Sequence, residues 1–170
     1  MKLIAEITME DLGGDEIERY DKPYTLRKSA RAVVFNDDGE VSMINATKKN
    51  FFKLPGGGVK LGENIEEALR RELLEEVGCE VEILDEVGVI IEYRNMIDQI
   101  HVSYCFTAKV VGDVCVPKYT EKEKADGMEP AWLKIDEAIN AVKESKPEMI
   151  IGKFMVKREL EFLKEVKSKL

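Results

Sequence analysis

The chain has 170 residues, 44% hydrophobic and 35% charged, an ordinary mixture for a soluble enzyme-sized unit that buries its own core. Its formal net charge of -8 argues against a polynucleotide partner, because a phosphate backbone is normally held by a basic patch. No run reaches the length of a membrane span, and the start MKLIAEITMEDLGG has neither the basic opening nor the apolar run of a signal peptide, so a cytoplasmic location without membrane contact is expected.

Residues Met1 to Lys28 read as a polar, irregular lead-in that opens on the strand-like LIAEI and carries Pro23 near its end. Two readings stand for it: an extra edge strand, or an arm that contacts a partner subunit in a homodimer. Ala30 to Phe35 and Val41 to Ala46 flank Asn36-Asp37-Asp38-Gly39, a turn signal that predicts a hairpin. Phe51, Phe52 and Lys53 precede the turn LPGGG. Ile65, Ala68, Leu69, Leu73 and Val77 then recur at steps of three and four, which predicts a helix with one apolar stripe, ended by Gly78 as a left-handed cap. Strand-like runs follow from Cys79 to Tyr93 and from His101 to Val111. A charged loop, Pro117 to Pro130, leads to a short strand from Ala131 to Lys134 and a helix from Asp136. The pattern from Pro147 to Leu170 predicts a terminal helix, with Pro147 in its first turn. His101 and Trp132 read as structural, Trp132 as a core residue. Cys79, Cys105 and Cys115 are odd in number and lack CxxC spacing, so they read as free thiols.

The chemistry concentrates between Leu54 and Glu80. Glu72, Glu75 and Glu76 stand at i, i+3 and i+4, one face of the predicted helix, and converging carboxylates suit a hard cation such as Mg2+ or Mn2+. An acidic helix face is usually just solvated. The glycine run Gly56 to Gly58 ahead of this one separates it from that ordinary case, because consecutive glycines let backbone approach a phosphate or a metal closely. Arg71, set among Glu63, Glu67 and Glu75, reads as an ion-pair partner that orients the helix. Phe51 and Phe52 divide between core packing and stacking on a nucleobase. Lys48, Lys49 and Lys53 are candidates for substrate phosphates, against the common case of a merely exposed lysine.

The spacing Gly57, five residues, Glu63, seven residues, Arg71, Glu72, Leu73, Leu74, Glu75, Glu76, Val77, Gly78 resembles the signature box of the Nudix (MutT-like) hydrolases, with Cys79 where that family usually has an aliphatic residue. The resemblance implies an α/β fold, the α/β/α sandwich with a mixed sheet and a C-terminal helix, built as one domain over 1–170. It implies cleavage of a nucleoside diphosphate linked to another moiety, with Mg2+ or Mn2+ carried by Glu72, Glu75, Glu76 and a carbonyl near Gly57, and with Glu63 and Arg71 orienting the box. It implies a general base that is one of the box glutamates or a carboxylate of the loop before Trp132, where Asp126 is the first choice and Glu123 the second. No proline lies between Cys79 and Pro117, so ADP-ribose is not favoured as substrate. A nucleoside triphosphate, oxidised or not, leads; a nucleoside diphosphate sugar follows. Behind these stand a non-catalytic ligand-sensing module and an isoprenoid diphosphate isomerase on the same scaffold. The sensing module would be expected to lack box glutamates, and all are present.

Overall fold

The computed structural model describes residues 1–15 and 23–170. Among the described residues eight strands form one mixed sheet: β1 (Leu3–Ile7), β2 (Thr25–Phe35), β3 (Val41–Ala46), β4 (Phe51–Lys53), β5 (Gly56–Gly58), β6 (Glu80–Arg94), β7 (Gln99–Val111) and β8 (Met128–Leu133). Their order is β1-β6-β7-β2-β3-β4, with β5 paired to β2 and β8 to β3. Pairing is parallel between β1 and β6 and between β2 and β7, and antiparallel elsewhere. The helices are α1 (Ile65–Glu76), α2 (Glu121–Ala125), α3 (Ile135–Glu144) and α4 (Ile150–Lys167).

Strand alternation gives the sheet two apolar faces, and a separate core lies on each. Ala30, Ala32, Val34 and Ile44 meet Ala68, Leu69 and Leu73 of α1. On the other face Val33, Met43, Leu54 and Ile90 meet Ala138 and Val142 of α3 and Phe154, Phe162 and Leu163 of α4. The result is an α/β/α sandwich with a mixed sheet and a C-terminal helix.

Several elements differ from the sequence expectations. The lead-in begins with β1 at the sheet edge, β2 starts within it at Thr25, and its part at 16–22 lies outside the described residues. The predicted hairpin is joined at one register position, Phe35 opposite Val41, because β3 then turns to pair with β8 and β4. The charged loop contains α2, whose Thr120 and Glu123 make a capping box, and the start of β8. Pro147 is not in the first turn of α4, whose N-cap is Met149. It packs back on the helix instead, so close to Gly152 that a Cβ there would meet the proline ring at 2.5 Å. Trp132 is only half-buried against the α1-side core, because among the described residues β8 pairs with β3 alone. Cys79 and Cys105 are buried free thiols and Cys115 is exposed. No helix among the described residues is long and apolar enough to cross a membrane.

Candidate active site

The helix that carries the acidic residues is fixed at both ends. At its start the Asn64 side chain accepts from the Glu67 amide at 2.9 Å while the Asn64 amide donates to Glu67 Oε2 at 2.8 Å, which satisfies two amides that a helix leaves unpaired. At its end Gly78 adopts φ 77°, the left-handed cap conformation. The segment after β7 supplies partners for the last carbonyls: Lys118 N donates to Glu75 O at 2.7 Å, Tyr119 Oη to Glu76 O at 2.9 Å and Cys115 N to Gly78 O at 2.8 Å.

Arg71 is the hub of the acidic face. It donates to both oxygens of Glu63, from Nε at 2.6 Å and from Nη2 at 2.9 Å, to Glu72 Oε1 at 2.6 Å, to the Gly58 carbonyl at 3.0 Å, and more distantly to Glu75 Oε2 at 3.4 Å. The bidentate hydrogen bond from Arg71 holds Glu63 far below the usual carboxylate range, at about 2. Glu72 moves the other way: burial raises it, against the hydrogen bond from Arg71. The Glu72 carboxylate rests directly on Gly57, where any Cβ would collide with it. Glu76 is buried, accepting from Lys53 Nζ at 2.5 Å and from the Gly56 amide at 2.8 Å. Glu75 is the most open of the three, its side chain 42% exposed.

Among the described residues no three acidic, histidine or cysteine side chains are gathered into a ready cation cage. The cause is local, since Arg71 draws Glu72 toward Glu63 while Lys53 holds Glu76 beneath the turn. The donor set still fits a hard cation: three carboxylates whose oxygens keep spare lone pairs, one of them resting on the turn where Gly57 has no Cβ.

The other sequence candidates are engaged in contacts within the protein. Lys53, read as a phosphate contact, is 4% exposed and committed to Glu76, because the register of β4 against β3 turns it inward. Asp126 pairs with Lys49 at 3.4 Å, and its carbonyl accepts from the Lys48 amide. Phe51 is buried, while Phe52 is half-buried against the α3–α4 core and its amide donates to Ser145 Oγ.

Two features escaped the sequence. Arg31 is buried in β2 with its Nη1 donating to the Leu54 carbonyl at 3.1 Å and to the Gly56 carbonyl. Beyond it lies a buried polar network: Glu92 joins Arg158 at 3.2 Å, Arg94 at 2.5 Å and His101 Nδ1 at 3.0 Å, and His101 Nε2 meets Ser29 Oγ at 3.0 Å. The sequence signal for the strand members of both was charge placed where strand alternation calls for apolar residues.

The NUDIX domain model matches residues 25–151. A MutT-like protein of Streptomyces ambofaciens is 31% identical over 116 residues, covering 68% of this chain and 69% of that protein. A putative 8-oxo-dGTP diphosphatase of Bacillus subtilis is 30% identical over 107 residues, 63% of this chain and 64% of that one. Among solved structures, an Ap4A hydrolase of C. elegans aligns with a TM-score of 0.61 at 17% identity, covering 85% of this chain and 98% of its own. That likeness is one of fold.

Proposed function

Because the chain belongs to the NUDIX domain family and so to the pyrophosphohydrolases, we propose that it cleaves the diphosphate linkage of a nucleoside triphosphate, oxidised or not, to release the monophosphate. The observation that carries this reading is the pairing of Glu72 with the bare backbone of Gly57, with Arg71 bridging Glu63, Glu72 and Glu75. The B. subtilis relative's name supports the triphosphate as substrate class. Buried free thiols fit a reducing cytoplasmic setting.

Glu72, Glu75 and Glu76, with a carbonyl near Gly57, would hold Mg2+ or Mn2+, which neutralises diphosphate charge and makes water more acidic. Arg71 and Glu63 set the direction of Glu72. Lys53 and the Gly56 amide keep Glu76 beneath the turn. Glu75, the most open and least tightly paired of the three, takes the proton of the attacking water on its carboxylate. Asp126, behind Lys49, is the competing base. The attack is in line at phosphorus, with no enzyme-bound intermediate.

A screen of nucleoside triphosphates, nucleoside diphosphate sugars and dinucleoside polyphosphates with Mg2+ and Mn2+ tests this. Strict dependence on the cation is expected, as is a loss of turnover of at least about a hundredfold in folded Glu75→Gln and Glu76→Gln. Full activity after exhaustive EDTA treatment rules out the metal mechanism, a preference for sugar nucleotides replaces the substrate class, and turnover of none of them favours a sensing module.

A further inference from the structure

Arg31 occupies a position at which a core strand would ordinarily carry an apolar residue. Its neighbours Ala30 and Ala32 pack against α1, so its own side chain runs to the opposite face, toward α4. There it is 6% exposed and grips the back of the glycine turn through the carbonyls of Leu54 and Gly56. From the front, the Gly56 amide donates to Glu76 Oε2 at 2.8 Å. The turn is therefore held between a buried guanidinium and a box carboxylate, one residue before the glycine on which Glu72 rests.

Burial and the charge of Arg158 work against a charged Arg31, while Glu159, Glu76 and Glu72 favour it. Glu159 is fully buried on α4 and is itself held by Arg158 at 2.5 Å. Both residues lie beyond the family match at 25–151. A well-packed apolar side chain commonly replaces a buried ion pair without loss of stability, so stability alone does not account for this arrangement. What the guanidinium supplies, and an apolar residue does not, is the pair of carbonyl contacts at the edge of the site.

We propose that Arg31 is a positioning residue for the glycine turn, which it holds through the carbonyls of Leu54 and Gly56. The kinetic part rests on the hydrolase reading; the structural part does not.

The test compares Arg31→Met, Arg31→Met/Glu159→Gln and Arg31→Lys with wild type. Exchange of the Gly56 amide is read without substrate or metal, Mn2+ binding by calorimetry, and kcat and KM on whichever nucleotide wild type hydrolyses. Arg31→Met is expected to lower Tm, because it removes a positive charge that offsets the buried Glu159. The double variant recovers Tm, yet its Gly56 amide still exchanges at least about tenfold faster, its Mn2+ affinity stays weakened, and its kcat stays at least about tenfold down with KM within about threefold. A purely structural role in balancing buried charge predicts that exchange, Mn2+ affinity and kcat all recover together with Tm, and that result overturns the proposal. Should both methionine variants fail to fold, Arg31→Lys keeps the charge on a side chain too short to bridge the two carbonyls, and wild-type Gly56 exchange in it is equally fatal. A wild type that hydrolyses no nucleotide defeats the hydrolase reading, while the exchange measurement still decides the role of Arg31.

Discussion

At Gly57 a hydrogen is the largest side group the site accommodates, since the Glu72 carboxylate lies where a Cβ would be. In Gly57→Ala that carboxylate must leave either the turn or Arg71, and reacting groups displaced by about 1 Å lose up to about a hundredfold in rate. Turnover should fall at least about tenfold with Tm little changed, because the atoms nearest the new methyl belong to a polar, partly open side chain. Wild-type kcat in a folded Gly57→Ala enzyme would show that Glu72 does not need its place against the turn. The partnership of Arg71 with Glu63 was legible in the sequence, because both stand in one short motif. That of Lys53 with Glu76 was not, being made across 23 positions by the register of β4 against β3 and the seating of α1 on the sheet.

The element best read from sequence is α1, where cap, apolar stripe and terminal glycine agree on one answer. The long strands β6 and β7 also follow from alternation. What the sequence hid is the segment between β7 and β8, whose lysines and glutamates read as solvated loop. Its Cys115, Lys118 and Tyr119 lace the end of α1, and α2 then carries Asp126 to Lys49 and the turn after β3. These contacts make the segment a brace for the box helix, and a kinetic test separates brace from base. Losing a general base at Asp126→Asn would lower kcat and spare KM. The pairing with Lys49 leads us to expect kcat within about threefold of wild type for Asp126→Asn and Glu123→Gln, and a larger loss for Tyr119→Phe, which frees the Glu76 carbonyl. A collapse of kcat in Asp126→Asn alone would return the base to the loop.

Across the whole molecule the α4 face of the sheet holds charge where a small enzyme usually keeps only apolar side chains. Glu92 and His101 stand opposite each other on β6 and β7, Ser29 comes from β2, and α4 closes the group with Arg158. This network was not legible in the sequence, because it is assembled from four elements by sheet register and helix docking. Its consequence is a dependence of stability on pH. Burial above all holds His101 low, at about 3, with Arg158 and Arg94 acting the same way against Glu92. An unfolded histidine titrates near about 6.5, so between these values the unfolded chain binds the extra proton and acid favours unfolding. At pH 5 this amounts to about 2 kcal/mol relative to neutral pH, or roughly 5 °C in Tm for a chain of this size. Burial tends to raise Glu92, but the Arg158 charge and the His101 contact outweigh it and hold Glu92 at about 2, which adds a loss of the same sign below its ordinary range. The raised Glu72 works in the opposite sense, so the decisive comparison is with a variant in which only the imidazole is removed. His101→Gln should be less stable than wild type at pH 7 and flatter in Tm from pH 7 to pH 5, the two curves converging as acid removes from wild type what the variant lacks. Parallel curves would mean that His101 accepts its proton inside the folded protein, and that the charge of Glu92 is set by its arginines alone.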